Sequence, residues 1–365
     1  MNVKKVKLLS LLLVLVMVFS LTACGKDDSD NGTGNEDKPL RVALLLNGTL
    51  GDKSFFDSAH RGLEMAKEEF GDKFEFKTVE MTTDETKWLP TLYEYSDDGT
   101  WDIIIVGTWQ MAEPLAEVAP QYPDQKYIIF DQEMDYSAGD FSNVYSILYK
   151  QNEASFLAGV IAARLSKTKT ICFLGGAENP VINDFLVGYI QGAKYAEENI
   201  KVVTSYVGNF NDTPKGKDLA LTQYQQHGVD VGFNVAGLAG LGQIDAAVET
   251  GKLAIGVDSD QALILGEPAA NHIPTSALKN VDQSILRAIK MEFEGKVPYG
   301  KTETLGIAEN GVGIADNDYY KKLVPEDVRK EVEELAEKIL NGEIVVDTAF
   351  GKSNEEIQQI KDSVK

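Results

Sequence analysis

Cysteine is scarce in this chain. Its 365 residues include only two, Cys24 and Cys172, so a disulfide framework is excluded and an ordinary hydrophobic core must hold the fold. Cys172 lies in the apolar run 170–174, which predicts a buried strand. We therefore expect its thiol to serve as a small core hydrophobe.

Positive charge is also in short supply. Lys and Arg number 35 against 57 Asp and Glu, which gives a formal net charge of -22. So acidic a surface argues against nucleic acid and anionic lipid, and we predict no nucleic-acid partner. The content of 43% hydrophobic and 25% charged residues is typical of a soluble globular protein. The length suffices for two domains.

Long hydrophobic runs are missing except near the start of the chain. The run 8–21 is mostly apolar, but a membrane-spanning helix needs about 20 apolar residues. Lysines precede this run, and Leu21-Thr22-Ala23-Cys24 ends it. A charged n-region, a short apolar h-region and a small-residue cleavage site predict a signal peptide over residues 1–23.

The cysteine at the cleavage site sets this signal peptide apart. The stretch resembles the bacterial lipobox, whose cysteine is lipidated and becomes the first residue of the mature protein. The resemblance implies a lipid anchor, palmitate included, at Cys24, and a protein held at the extracytoplasmic face of the cell membrane. The alternative is an ordinary signal peptide with a coincidental cysteine. Residues 24–38, rich in Asp, Asn and Gly, predict a flexible tether behind the anchor.

From residue 39 onward, short apolar strands alternate with helical patterns, and the whole pattern restarts once. Strands are predicted over 41–46, 75–79, 102–106 and 127–130, and then over 170–174, 202–207, 229–235 and 253–257. This βαβα order predicts an α/β fold with parallel sheets covered on both faces, arranged as two doubly wound lobes. Ligands of such sheets bind beyond the carboxyl ends of the strands. The tail is predicted to close the second lobe with a helix over 325–340 and a strand over 344–346.

The first strand ends in a loop that leads to an aromatic pair. Asp52 or Ser54 can cap the helix that follows. Phe55 and Phe56 then stand in its first turn, beside the crevice, where a ring could stack on a flat ligand. Because neighbours on a helix point about 100° apart, we expect one ring to face the ligand and the other the core.

Other strand ends supply further candidates. Trp109 is either a second aromatic wall or a partly buried residue at a helix start. Asp131 can accept hydrogen bonds from vicinal hydroxyls or base N–H groups, or it can cap a turn. The amides of Asn47 and Asn234 complete the candidate ligand-binding residues at strand ends.

Five short motifs occur in the order of a known family. They are Gly51-Asp52-Lys53-Ser54-Phe55, Gly188-Tyr189-Ile190-Gln191-Gly192, Gly208-Asn209-Phe210-Asn211-Asp212, Gly256-Val257-Asp258-Ser259-Asp260-Gln261 and Thr275-Ser276-Ala277-Leu278-Lys279. Behind a lipobox, this order resembles the basic membrane protein family of bacterial lipoproteins. These are purine nucleoside receptor-like substrate-binding proteins of ABC transporters. The resemblance extends from Leu40 to about Ala315.

The resemblance implies a type I periplasmic-binding fold, with two doubly wound α/β lobes joined by a three-strand hinge. The N-terminal lobe would comprise residues 39–147 and 279–300, and the C-terminal lobe residues 148–278 and 301–365. A nucleoside, with a purine as the first choice, would be captured between the lobes and delivered to an ABC permease. We expect a monomer.

The resemblance also implies roles for individual residues. Phe55 would stack on the base, and Phe210 would form a wall of the second lobe. Asp131 would bond the base or ribose edge, Asp258 would hold the ribose hydroxyls, and Lys279 would donate a hydrogen bond close to Asp258. Rings combined with a carboxylate suit a nucleoside, which offers one aromatic plane and two vicinal hydroxyls.

One residue departs from the family pattern. Many members have Asn directly after the motif phenylalanine, where this chain has Phe56. The change removes an amide and adds apolar surface, and adjacent phenylalanines are similar to those of sugar-binding relatives of the same fold. A sugar or riboflavin is therefore an alternative ligand, and a ligand sensor is an alternative to a transport receptor.

Catalytic and metal-binding motifs are missing from the sequence. Neither G-x-S-x-G nor H-E-x-x-H occurs, and the three histidines are scattered over separate segments. We therefore predict no enzyme activity, no metal site and no cofactor. The competing enzyme hypothesis is a nucleoside hydrolase that uses Asp131, Asp258 and Asp260.

Overall fold

Two sheets of six strands each form the framework. The computed structural model describes residues 38–365, so Cys24, the predicted signal peptide and most of the predicted tether lie outside the described residues. The strands are β1 (Leu40–Leu46), β2 (Phe74–Glu80), β3 (Ile103–Gly107), β4 (Lys126–Phe130), β5 (Val144–Tyr149), β6 (Thr170–Gly175), β7 (Lys201–Tyr206), β8 (Val231–Val235), β9 (Leu253–Asp258), β10 (Ser276–Lys279), β11 (Lys301–Leu305) and β12 (Val312–Ile314). The first sheet has the order β11-β5-β4-β3-β1-β2 and the second the order β12-β10-β9-β8-β6-β7.

Helices follow most of the strands, as the sequence predicts. Within the described part of the chain they are α1 (Phe55–Phe70), α2 (Trp88–Asp98), α3 (Ala112–Val118), α4 (Gln151–Leu165), α5 (Pro180–Ala196), α6 (Thr213–Gln226), α7 (Leu241–Thr250), α8 (Gln261–Leu265), α9 (Val281–Phe293), α10 (Asp318–Leu323), α11 (Glu326–Leu340) and α12 (Asn354–Asp362). All strand pairs are parallel except β10 with β12. Strands β3 and β8 are buried along their whole length, so both faces of each sheet are covered. The predicted α/β class with two doubly wound lobes is confirmed.

The chain passes between the two sheets three times. It leaves the first sheet after β5, returns after β10 and crosses again after β11. Strand β11 pairs with β5 in the first sheet, whereas we expected residues 301–305 in the C-terminal lobe. With the sequence Lys-Thr-Glu-Thr-Leu it is a largely polar edge strand, and its composition does not indicate which sheet it joins.

Glycines bring α4 and α5 into close contact in the second lobe. A Cβ atom at Gly192 would lie 1.9 Å from the carbonyl oxygen of Phe156, and one at Gly188 would lie 2.2 Å from that of Asn152. No side chain fits at such distances, so these positions require glycine. The second family motif is therefore a helix-packing motif and lies away from the strand ends.

The core confirms the prediction for Cys172, which is completely buried in β6. The predicted strand over 344–346 is wrong, because that segment is irregular chain and the side chain of Val345 is 80% exposed. Eight regular elements were not predicted: β5, β10, β11, β12, α8, α9, α10 and α12. Within residues 38–365, no helix has both the length and the apolar character needed to cross a bilayer.

Candidate functional site

A cavity of about 730 Å³ lies between the two lobes, where parallel strands of both sheets end. The first lobe lines it through the ends of β1, β3 and β4, and the second through the ends of β8, β9 and β10. Its first-lobe lining comprises Asn47, Gly48, Thr49, Asp52, Phe55, Phe56, Thr83, Glu85, Trp88, Thr108, Trp109, Gln110 and Asp131. Its second-lobe lining comprises Ala177, Asn179, Val181, Ile182, Phe185, Gly208, Asn209, Phe210, Asn211, Asp212, Val235, Gly237, Leu238, Asp258 and Lys279.

Eight of the nine ligand-binding candidates from the sequence share this lining. They are Asn47, Phe55, Phe56, Trp109, Asp131, Phe210, Asp258 and Lys279. Asn234 does not reach the cavity: its Nδ2 donates to the carbonyl oxygen of Ile255 at 3.0 Å and to Oε1 of Gln261 at 3.3 Å. Since side chains alternate along a strand, Asn234 faces the core of the second lobe while Val235 faces the cavity.

The loop after β1 is held by Asp52, which is the cap of α1. Oδ1 of Asp52 accepts from the backbone N–H groups of Ser54 and Asp57, each at 3.1 Å, and Oδ2 accepts from that of Phe56 at 2.8 Å. Burial raises the pKa of Asp52, while these backbone donors oppose the rise. Of the two caps that the sequence offered, Asp52 fills the role, and Ser54 makes no side-chain cap.

Both phenylalanines of the pair line the cavity. Their ring centroids lie 5.3 Å apart in an edge arrangement, and that of Phe55 lies 5.4 Å from the ring of Phe130. The ring of Phe56 covers Gly48, where a Cβ atom would be 2.2 Å from its Cε2. Because Gly48 leaves this space, Phe56 lies across the loop. Both rings line the cavity and both pack against the edge of the core, whereas we expected one ring to face the ligand and the other the core.

Two further rings approach the cavity from opposite lobes. Phe210 lies over Gly176, where a Cβ atom would be 2.3 Å from its Cδ1. Trp109, at the start of the short helix Trp109–Met111, lines the cavity and is 48% exposed. The site therefore has aromatic surfaces on both lobes.

A buried ion pair joins the lobes within the cavity. Nζ of Lys279, at the end of β10, donates to Oδ1 of Asp131, after β4, at 2.7 Å. The same ammonium lies 5.0 Å from the ring centroid of Phe55 and 5.1 Å from that of Phe185, within the range of cation–π attraction. Burial raises the pKa of Asp131, and the charge of Lys279 opposes this.

Asp258 is the second carboxylate of the site. Its Oδ2 accepts from Oγ of Ser54 at 2.5 Å, and no residue of the described chain donates to its Oδ1. Burial raises the pKa of Asp258 to about 6, against the lowering effect of Lys279. The free oxygen of this carboxylate can accept a hydrogen bond from a bound molecule.

Strained backbone accompanies these strand ends. Thr108, Asp131 and Asp258 have φ angles of 73°, 62° and 61°, a left-handed region that residues other than glycine seldom occupy. Such strain persists only where the surrounding structure imposes it, and it clusters at ligand sites. All three residues border the same cavity.

The sequence reasoning missed several lining residues. Thr108 and Gln110 accept hydrogen bonds from Nδ2 of Asn47 at 2.8 and 3.2 Å, and their position beside Trp109 at the end of β3 could have indicated them. Phe185 gave no signal, because it belongs to the apolar pattern of α5 and looks like any core residue.

Asp260, named in the hydrolase hypothesis, lies outside the lining. Its carboxylate accepts from Nδ2 of Asn317 at 2.9 and 2.8 Å and from the backbone N–H of Leu263. It thus caps α8 and ties the chain before α10 to the second lobe. Of the three carboxylates named in the hypothesis, Asp131 and Asp258 share the cavity and Asp260 does not.

Comparison with known proteins gives a consistent relationship over nearly the whole described chain. The family model described as ABC transporter substrate-binding protein PnrA-like matches residues 40–349. Basic membrane protein A2 of Borrelia garinii subsp. bavariensis is 36% identical, with 93% of this chain and 96% of the relative covered. An uncharacterized lipoprotein of Pyrococcus horikoshii is 34% identical, with 98% and 95% covered.

A solved structure agrees with this relationship. A solute-binding protein of an ABC transporter system from Aeropyrum pernix K1 superposes with a TM-score of 0.78 at 28% identity, and the match covers 89% of this chain and 98% of that one. The resemblance that the sequence motifs indicated is confirmed, and with it the periplasmic-binding fold. The chain belongs to the Bmp family of PnrA-like ABC transporter substrate-binding proteins.

Proposed function

We propose that this protein captures a nucleoside, with a purine nucleoside as the first choice, between its two lobes and delivers it to an ABC permease. The observation that carries the proposal is the combination of aromatic rings from both lobes with buried carboxylates in one cavity of about 730 Å³. A nucleoside needs both: a flat face for its base and acceptors for its vicinal hydroxyls.

The base would lie between the rings of the two lobes. Phe55 and Phe210 supply the two faces, and stacking on an aromatic ring is worth about 1–3 kcal/mol per base. Phe55 is the better supported of the first-lobe rings, since Phe130 packs on it and the ammonium of Lys279 lies 5.0 Å from its centroid. These neighbours hold the ring in place before the ligand arrives.

The ribose would be held at the ends of β9 and β10. Oδ1 of Asp258 is open to the cavity, while Oδ2 is engaged by Ser54. Lys279 keeps one donor on Asp131 and can direct another toward the ligand, because an ammonium group has three N–H bonds. A charge-assisted hydrogen bond from a hydroxyl to Asp258 would distinguish a base that carries ribose from a base whose substituent lacks hydroxyl groups.

Membrane attachment through Cys24 would keep the protein at the extracytoplasmic face, close to its permease. The product of binding would be the unchanged ligand, since the proposed role involves no turnover. A protein that acts alone as a receptor needs no second copy, and we propose that it works as a monomer.

A sugar is the second candidate ligand, and Phe56 is the observation that favours it. Because Phe56 lines the cavity beside Phe55, two adjacent rings offer an apolar surface that suits a pyranose face. In that case Asp131 and Asp258 would hold sugar hydroxyls. The wide cavity also makes riboflavin worth testing.

A thermal-shift screen of residues 25–365 tests the proposal. The panel comprises purine and pyrimidine nucleosides, the free bases, ribose, riboflavin and common sugars. A ligand at 100 times its Kd should add about 2.7 kcal/mol of stability. Stabilisation by a nucleoside, but not by its free base or ribose, supports the proposal. Stabilisation only by a sugar or riboflavin would contradict the nucleoside while leaving the receptor role intact.

A further inference from the structure

Ser54 carries a buried hydroxyl that its own helix does not use. It precedes the first turn of α1, where Asp52 accepts the three backbone N–H groups that need a cap. The side chain of Ser54 is fully buried and makes no capping hydrogen bond. A buried hydroxyl normally has a partner, and this one finds its partner on the other lobe.

That partner is the carboxylate of Asp258. Oγ of Ser54 donates to Oδ2 of Asp258 at 2.5 Å, across 204 residues of sequence, and it also lies 3.4 Å from the carbonyl oxygen of Val257. One oxygen of the carboxylate is therefore held by the first lobe. The other faces the cavity without a partner in residues 38–365.

Further side-chain hydrogen bonds fix the same junction between the lobes. Oγ of Ser259 donates to the carbonyl oxygen of Ser54 at 3.0 Å, and Nε2 of Gln261 donates to that of Lys53 at 3.3 Å. Nη2 of Arg61, on α1, donates to Oγ of Ser259 at 3.2 Å. The position of Ser54 relative to Asp258 is thus set by several bonds between the lobes, and a different arrangement of the lobes would separate the two groups.

We propose that Ser54 is a positioning residue for ligand capture: its hydroxyl orients the carboxylate of Asp258 toward the cavity, so that the site is complete only in this arrangement of the lobes. The ligand part of this inference rests on the proposed function. The coupling between Ser54 and Asp258 does not, because it can be measured without a ligand.

The charged groups around Asp258 determine how loss of the Ser54 hydroxyl would change the pKa of Asp258. Burial has the largest effect and raises the pKa of Asp258, and the like charges of Asp131 and Asp52 add to the rise. Lys279, at the end of β10, and the hydroxyl of Ser54 both lower this pKa. Removing the hydroxyl therefore leaves the carboxylate less easily ionised, and its titration moves to higher pH.

The first test follows Asp258 in the ligand-free full chain by ¹³C NMR of labelled aspartate carboxyl groups, with Asp258→Asn to identify the signal. Ser54→Ala should raise the pH midpoint of this signal. Ser58→Ala is the matched control, because Ser58 is equally buried on α1 but its hydroxyl serves Arg61 and Asp282 within the first lobe. The control should leave the midpoint unchanged, and equal midpoints in wild type and Ser54→Ala would overturn the proposal.

A second variant, Ser54→Cys, allows the same measurement if Ser54→Ala does not fold. Ser54→Cys keeps nearly the same volume but offers a weaker donor, so its midpoint should also rise. If Ser54→Ala does not fold, this variant decides the question in the same way.

The ligand part is tested by calorimetric titration with inosine. Ser54→Ala should bind about tenfold more weakly, the effect of one hydrogen bond to a charged group. In a double-mutant cycle with Asp258→Asn the two losses should not add, because both variants disturb one interaction. Fully additive losses would overturn the positioning role. Failure of the wild-type protein to bind inosine or any other nucleoside would contradict the proposed function, while the NMR result would still decide the coupling.

Discussion

Asp258 and Asp184 are two buried aspartates of the second lobe, and they differ in how the protein hydrogen-bonds their carboxylate oxygens. Burial raises the pKa of each to about 6. Asp184, on α5, has both oxygens engaged by the protein: Oδ1 accepts from Oγ1 of Thr348 and the N–H of Ala349, and Oδ2 from Nε2 of Gln151. Asp258 has one oxygen engaged and one facing the cavity. A shifted pKa therefore does not by itself identify a ligand site, and the two aspartates differ in that only Asp258 has an unused oxygen beside the cavity.

The hydrogen bonds that the carboxylate of Asp184 accepts compensate for its burial. They join the start of α4, just after the first crossing between the lobes, to α5 and to the irregular segment near residue 348. Beside it, Nδ2 of Asn152 donates to the carbonyl oxygens of Val346 and Asp347 at 3.2 and 3.1 Å. We infer that Asp184 anchors the C-terminal segment, so its contribution is to stability and that of Asp258 to binding.

The largest effect is expected from Asp184→Ala. This change leaves three donors without their acceptor, those of Gln151 and Ala349 buried and that of Thr348 half-buried, which should lower the free energy of unfolding by about 2–4 kcal/mol. Urea unfolding measures the loss, and nucleoside affinity at low temperature should stay near the wild-type value. Asp184→Asn is the matched control: Oε1 of Gln151 has no partner within residues 38–365, so that amide can turn and the loss should be smaller. Unchanged stability of the alanine variant would refute the anchoring role.

The counterpart is Asp258→Ala, which should weaken nucleoside binding by more than about tenfold through the loss of a charge-assisted hydrogen bond. Its melting curve should remain cooperative, since the bond from Ser54 is the only hydrogen bond to the carboxylate of Asp258 among residues 38–365. Calorimetric titration beside the wild type measures the effect. Wild-type affinity in a folded variant would refute the assignment of Asp258 to ligand binding. The proposed functional difference between Asp258 and Asp184 would then also be refuted.

The pH dependence separates the two aspartates further. Each has a folded pKa of about 6, above the ordinary value of 3.8, so the folded protein keeps protons that the unfolded chain has released. The contribution of each group to stability is therefore fully present below pH 3.8 and is lost as the pH rises through about 6, by at most about 1.4 kcal/mol per pH unit. On the proposed function, affinity should rise over the same range, because the hydroxyls of the ligand would donate to the ionised form of Asp258.

Two neutral variants check this pattern. Asp258→Asn should lose its share of the stability change and also the rise in affinity between pH 5 and 7. Asp184→Asn should lose only its share of the stability change. Unfolding and titration series from pH 4.5 to 7.5 measure both, and an affinity of the wild type that is constant over this range would contradict ionisation of Asp258 as the cause.

Much of the fold followed from the sequence because it depends on local patterns. Apolar runs such as β1 and β3 could be placed to within a few residues, since strands buried on both faces read as continuous hydrophobic stretches. Strand β11 and the segment 344–346 failed for the opposite reason. A polar edge strand carries little information about its neighbours, and neither does a Val-Val pair of which Val345 is exposed and Val346 is buried in irregular chain.

The candidate site could also be predicted in part: the residues at strand ends could be predicted, and their pairings could not. Residues at strand ends, such as Asp131 and Asp258, are placed by topology, and the cavity lies where parallel strands of both lobes end. Pairings across 148 or 204 residues, Asp131 with Lys279 and Asp258 with Ser54, are tertiary and have no local signature. Asn234 failed because a shift of one residue along a strand turns the side chain to the other face.

The smallest expected difference is the one between the two adjacent rings, Phe55 and Phe56. Phe55→Ala should weaken binding of a base-bearing ligand by about 1–3 kcal/mol, the worth of stacking on one ring, and by more than Phe56→Ala does. The reason is support: Phe55 is packed by Phe130 and lies beside the ammonium of Lys279, whereas Phe56 lies across Gly48. Titration of both variants with inosine and with a pyranose sugar measures the difference. A larger loss of nucleoside affinity at Phe56 would reverse the assignment, and negligible losses at both rings would reject stacking.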